Sequence, residues 1–285
     1  MRNKRINNKK NHIKIIRGVL LISLICIFSY CAFQIIDLEK NKEETSNIQK
    51  EVSQVIETNK LEDTENTVIV NEEKKDKEEE KKEESLFWQY VRKPLTDFNI
   101  NEIKSINPDT VAWLNLNGTH INVPVVQAKD NNYYLRRDFK KNPSQVGWIF
   151  ADYRNKLDLT DKNIIIYGHN VEDKSMFSTL ENVLTSAWQN TNTNHILNMS
   201  TATHNTMWQV ISVYKVDYTV DYIQTKFTDK EYLEFLKLIK DRSVYNFNAS
   251  TNEKTKVITL STCTNGVKDG RIVLHAKLIK YEPKR

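Results

Sequence analysis

Cysteine is scarce in these 285 residues, with three in all. Two of them, Cys26 and Cys31, fall in an apolar stretch near the start, so the polar remainder carries Cys263 alone. A disulfide within that remainder is therefore excluded, and a lone thiol in an oxidising place needs some reason other than cross-linking. Metal-ligand spacing is lacking as well. No compact cluster of His, Cys and carboxylates occurs, so no metal is implied, and no cofactor either. No internal repeat is visible. The formal charge excess is only +5, and acids outnumber bases in the middle segment while the two flanking parts are basic. That balance is not a nucleic-acid signature; a basic domain outside a cell fits an anionic wall or membrane surface better.

Charge is missing altogether from residues 18–36, GVLLISLICIFSYCAFQII. A run of about 20 apolar residues spans a bilayer as a helix. The preceding MRNKRINNKKNHIKIIR holds seven Lys/Arg and no acid. Positive charge stays cytoplasmic, so residues 1–17 are expected inside and everything after Asp37 outside. A cleaved signal peptide is the rival reading. No clear small-x-small cleavage site follows, and Tyr30 before Cys31 makes a poor lipoprotein-type box, so an uncleaved single-pass signal anchor is expected. Cys26 and Cys31 then read as small apolar residues in lipid.

Residues 37–85 are rich in Glu and Lys, and 72–84 is an unbroken run of thirteen charged residues. Such a segment buries too little apolar surface to offset its ordering entropy, so a disordered tether or solvated stalk is expected. The folded part is expected over 86–285, long enough for one domain with a good core. It opens with two short helical candidates, SLFWQYVRKPL and DFNINEIKSINPDT. Short β-rich runs follow: TVAWLNLNG, INVPVVQA, VGWIFAD, NIIIYGHN, TMWQVISVYKVDY, KVITLSTC and RIVLHAKLIKY. One clear helix interrupts them, FTDKEYLEFLKLIKDRS, with Thr228 and Glu231 as a capping box and Tyr232, Phe235, Leu236 and Ile239 on one face. A weaker one covers SMFSTLENVL. Trp113, Trp148, Trp188 and Trp208 read as core or rim. Seven or eight short strands with few helices predict a mainly β fold, a closed or nearly closed barrel.

The last two runs show where Cys263 points. Strand residues alternate faces. Ile258 and Leu260 share one face of KVITLSTC with the apolar core, while Thr259, Ser261 and Cys263 take the other. In RIVLHAKLIK the apolar set Ile272, Leu274, Ala276 and Leu278 leaves Arg271, Val273, His275 and Lys277 opposite. The link TNGVKDG holds two strong turn signals, Asn-Gly and Asp-Gly. If the strands are antiparallel neighbours, thiol and guanidinium project outward from one surface near one rim. A thiol with a pKa of about 8.5 is mostly protonated at neutral pH, and a guanidinium nearby favours the nucleophilic thiolate. It also holds an oxyanion when the thiolate attacks a carbonyl. A histidine must then move protons. His12 is expected cytoplasmic, and His120, His195 and His204 lie in polar stretches and read as exposed bystanders. His275 competes, but it lies about 13 Å along the strand from Arg271. His169 ends the buried-looking strand NIIIYG, where Gly168 permits a sharp turn, and is favoured.

TLSTC followed eight residues later by Arg, with YGHN upstream, resembles the sortases, bacterial cysteine transpeptidases that attach proteins to the cell wall. Ser261, the N-terminal helices, the 228–242 helix, VVQAKDNNYYLRRDF and GWIFAD resemble class B in particular. The resemblance covers 86–285 and implies an eight-stranded sortase barrel with N-terminal helices and one long helix before the cysteine strand. It also implies a reaction: Cys263 attacks the Thr carbonyl of a C-terminal sorting motif in a secreted protein, a thioacyl intermediate forms, and a peptidoglycan cross-bridge amine resolves it. By the same match His169 is the acid/base, Arg271 stabilises the oxyanion or positions substrate, and Ser261, Asn131 and Leu135 line the peptide groove. Three rivals differ in function. One is a surface cysteine hydrolase on the same scaffold, and another is a non-catalytic wall-binding module on a stalk. The third is a pilus-polymerising sortase, which usually carries an inhibitory lid and a C-terminal membrane helix, whereas YEPKR closes this sequence.

Overall fold

The computed structural model describes residues 2–56, 58–70, 85–171, 173–217, 219–263 and 270–284, without the side chains of 2–13 and of Cys263. The chain divides into two units, Met1–Glu44 and Thr45–Arg285. The first is helical throughout its described length, as part of α1 (Arg2–Val55), and its apolar side chains from Ile15 to Ile36 are exposed. Among the described residues this is the one helix long and apolar enough to cross a membrane.

The second unit begins with the last turns of α1, where Ile48 and Val52 are buried. There follow β1 (Thr58–Leu61), β2 (Val68–Ile69), α2 (Leu86–Val91), β3 (Leu95–Phe98), α3 (Ile100–Ile106), β4 (Thr110–Leu116), β5 (Asn122–Val126), β6 (Phe150–Ala151) and β7 (Asn163–Tyr167). A 3-10 helix at Ser178–Leu184 replaces the weaker α-helix expected there. Then come α4 (Ser186–Gln189), β8 (Ile196–Thr201), β9 (His204–Asp217), α5 (Asp229–Asp241), β10 (Val257–Cys263) and β11 (Gly270–Pro283). Around the barrel the order is β10-β7-β6-β5-β4-β8-β9-β11, and β11 pairs back to β10 to close eight strands. The sheet is mixed: β7–β10 and β5–β6 run parallel. The eighth strand, β8, lies in the Asn/Thr-rich stretch that carried no strand signal.

The segment expected as a tether contributes to this unit. α1 is helical to Val55, β1 pairs with β3, and β2 extends the sheet outside β11. Asp63 reaches the fully buried Lys280, whose Nζ also donates to the carbonyls of Val91 and Lys93 at the end of α2. Backbone pairing and one ion pair hold 58–70 where its composition offers little apolar surface. The all-charged run 72–84 lies outside the described residues.

The capping box forms at the start of α5, with Thr228 Oγ1 accepting from Glu231 N and Glu231 accepting from Thr228 N. Tyr232, Phe235, Leu236 and Ile239 are buried against Ile211, Tyr214, Tyr222, Val257 and Val273. Burying each such side chain contributes roughly 1.5–3 kcal/mol. α5 therefore covers the outer face of β10 and β11, and this corrects the expectation of an outward, exposed surface. Thr259, Ser261 and His275 are all buried. Only at the rim does that layer end.

Candidate active site

Three neighbouring strands meet at this rim. Tyr167 of β7 is level with Ser261 of β10 in a parallel register. Continued two residues, the same register sets His169 level with Cys263. On the other side Cys263 is the direct partner of Arg271 in β11. His169, Cys263 and Arg271 thus form one row across adjacent strands, which lie about 4.8 Å apart. The Asn-Gly and Asp-Gly signals between Cys263 and Gly270 lie outside the described residues, as does the Cys263 side chain.

His169 is held from two sides. Its Nε2 donates to the Leu135 carbonyl at 3.0 Å, which leaves Nδ1 as the basic nitrogen of the neutral ring. Behind it sits Gly147 at φ +63°, where a Cβ would come within 2.9 Å of His169 Cδ2 and 2.7 Å of the Tyr134 carbonyl. Only glycine fits this close approach. Burial pushes the His169 pKa below its ordinary value, and Arg136 adds to the shift. Gly168 is needed for packing rather than for a left-handed turn, because a Cβ there would meet the Phe177 ring at 2.7 Å.

The competitor His275 is excluded by its surroundings. It is fully buried, with Nδ1 2.9 Å from Thr259 Oγ1 and Nε2 2.9 Å from the Tyr214 hydroxyl. Thr259 Oγ1 donates to Asn163 Oδ1 at 2.7 Å, so it accepts from His275 Nδ1–H, and Tyr214 donates to Nε2. Burial, with Arg242 nearby, drops its pKa to about 3. This imidazole is a neutral strut between strands. His195, read from sequence as an exposed bystander, is also buried, between the Tyr90 hydroxyl and the Gln189 carbonyl. His120 is exposed and His204 half-buried.

A cleft of about 260 Å³ opens beside the row, and its walls include His169, Arg271, Ser261, Asn131 and Leu135. All the candidate residues whose side chains are described therefore line one space. Arg271 is half-buried at its edge, with Nη1 donating to the Gly270 carbonyl at 3.0 Å. Ser261 Oγ lies 3.0 Å from the Tyr222 hydroxyl. The sequence reading missed Arg154, Tyr167, Tyr222 and Ile223, which share the walls. Tyr167 stands inside the quoted YGHN, and DYR directly follows IFA; both were visible, but only as strand ends. Among the described residues no group of His, Cys, Asp and Glu is placed to hold a metal.

The Sortase domain family matches residues 114–279, more than half of the chain. Sortase B of Listeria monocytogenes is 34% identical over 192 residues, covering 63% of this chain and 74% of that protein. Sortase B of Staphylococcus aureus is 38% identical over 181 residues, covering 62% and 73%. Among solved structures, Clostridium perfringens sortase B superposes with a TM-score of 0.59 at 33% identity, covering 62% of this chain and 98% of that one. A Staphylococcus aureus sortase B–substrate complex gives 0.59 at 37% identity, covering 64% and 84%. The chain belongs to the sortase family, the cysteine transpeptidases of the cell wall, and its relatives place it in class B. The non-catalytic wall-binding module is thereby set aside.

Proposed function

We propose that the enzyme cleaves a C-terminal sorting motif after threonine and joins the new carboxyl group to a peptidoglycan cross-bridge amine. The row of Cys263, His169 and Arg271 beside one cleft carries this reading. The Cys263 thiolate attacks the threonine carbonyl, and the carbonyl π pair moves to oxygen, where Arg271 holds the developing charge. As the tetrahedral species collapses, the C–N bond breaks and the leaving amine takes a proton from His169. A thioacyl enzyme remains. The incoming amine then attacks the same carbon, gives its proton to His169, and the C–S bond breaks to restore the thiolate. Ser261, Asn131 and Leu135 line the path of the peptide.

Relatives supply support at a coarser level: one sortase B has been solved in a substrate complex and another with a triglycine. The long apolar helix is compatible with a single-pass membrane anchor, in keeping with a cell-surface family. We place the N-terminus in the cytoplasm because of its seven basic residues.

The test incubates the full chain in detergent with Thr-containing sorting peptides and an oligoglycine amine, and weighs the products. A mass equal to peptide fragment plus amine is expected. Fragment plus water alone would identify a hydrolase instead, and no Cys263 adduct at any time would overturn the proposal.

A further inference from the structure

Four segments of the chain form the cleft wall that faces away from β11: the 127–149 connection, the turn after β6, the end of β7 and the 219–227 loop. They are tied together at one carboxylate. Asp152 is fully buried and accepts five hydrogen bonds. Its Oδ1 takes the Arg154 backbone N–H at 3.0 Å and Arg154 Nε at 2.8 Å. Its Oδ2 takes Arg154 Nη2 at 2.7 Å, Asn131 Nδ2 at 3.0 Å and the Tyr167 hydroxyl at 3.0 Å. Asn131 is locked at its other end too, its Oδ1 accepting from Tyr153 N at 3.0 Å. Arg154 Nη2 also donates to the Ile223 carbonyl at 3.0 Å.

Asn131, Arg154, Tyr167 and Ile223 all line the cleft, whereas Asp152 itself does not. Burial pushes the Asp152 carboxyl up, but the Arg154 and Asn131 hydrogen bonds outweigh it and hold it below the usual carboxylate range. A buried ion pair is seldom more stabilising than apolar residues of the same volume. What the carboxylate adds is direction: it fixes three donors that apolar packing would leave free to turn.

We propose that Asp152 is the positioning residue of the peptide-binding wall: by fixing Asn131, Tyr167 and, through Arg154, Ile223, it sets which residues are accepted upstream of the scissile threonine. This rests on the peptide-cleaving reading above. Asp152 touches neither the peptide nor the reacting atoms.

The test uses a pentapeptide library with threonine fixed at the fourth position, passed over the immobilised full-length Cys263→Ala protein. That protein is expected to retain a biased subset. Adding Asp152→Asn, which keeps the shape but removes the charge, should flatten the bias at the positions before threonine. In the Cys263 background, Asp152→Asn should raise KM about tenfold while kcat changes much less. Alkylation of Cys263 by iodoacetamide should keep its rate, because the row of His169, Cys263 and Arg271 is not part of the cluster. Arg154→Lys gives a second handle: it keeps the ion pair but cannot span Asp152 and the Ile223 carbonyl together, and it should flatten the bias in part. If the Cys263→Ala protein selects peptides and both double variants select the same ones, the Asp152 assignment is wrong while the cleavage reading stands. If kcat and alkylation fall together, Asp152 acts on the chemistry and the positioning role is wrong. If Cys263→Ala selects nothing, both readings fall.

Discussion

His169 and His275 both have depressed pKa values, yet burial serves them differently. His169 is partly exposed at a cleft, with one nitrogen tied to the Leu135 carbonyl. His275 is enclosed, and both its nitrogens are spent on Thr259 and Tyr214. Replacing His169 by Ala is expected to abolish turnover with little change in melting temperature. His275→Gln should do the reverse, lowering the melting temperature while the folded fraction still reacts. The His275 strut also gives a pH dependence with a definite sign. Its pKa is about 3 when folded, against an ordinary 6.5 in the unfolded chain, so between these the unfolded chain binds the extra proton. Stability is then fully present above pH 6.5 and lost as pH falls toward 3, by about 1.4 kcal/mol per pH unit inside the window. Melting curves at several pH values should show this acid limb, shallower in His275→Gln; equal slopes would remove His275 as its source. Arg271→Lys keeps the charge but loses the planar fork, and in its proposed role should cost roughly 10²–10³ in kcat. Near-normal turnover with Lys would mean that a diffuse positive charge suffices.

The α5 helix and the last hairpin were legible because local rules dictate them. The capping box and the apolar face of α5 sit at helical spacing, and both are present. The β10–β11 register followed from alternation and a short link, and Cys263 does oppose Arg271. What alternation could not tell was whether the polar face of that hairpin meets water. Thr259, Ser261 and His275 satisfy one another and their neighbours beneath α5, so a polar face here is a second buried layer. β8 was missed for the same reason. Its polar side chains are spent inside the fold, as when Ser200 Oγ bonds to Asn205 Oδ1 and the Thr96 carbonyl. His195 read as exposed because its sequence neighbours are polar, although Tyr90 and Phe247 pack on it from far along the chain. Two element-level outcomes follow. Thr228→Ala should cost about 1 kcal/mol, measured by denaturant unfolding, through loss of the cap. A fragment beginning at residue 86 should melt lower than one beginning at 45, because it loses β1, β2, the Asp63–Lys280 pair and the buried Ile48 and Val52. Equal melting temperatures would mean that the early segment adds nothing to the barrel.

For the whole molecule, charge and hydropathy at the N-terminus set the expected topology, and protease added to wall-stripped cells should remove residues after the apolar run while sparing the basic tail. A protein shed with a new N-terminus after about residue 32 would point to signal cleavage instead. The barrel itself has a consequence for the time before it is finished. β11 follows β10 directly, but β7 joins β10 across the whole stretch that holds β8, β9 and α5. Contacts so distant in sequence close late, since the loop entropy must be met before the pairing rewards it. Until then Cys263 has Arg271 within a hairpin's reach but no imidazole at its side. A chain still emerging from its export channel therefore carries a thiol of ordinary reactivity among the other secreted polypeptides, and it acquires its chemistry only when the last seam of the barrel shuts.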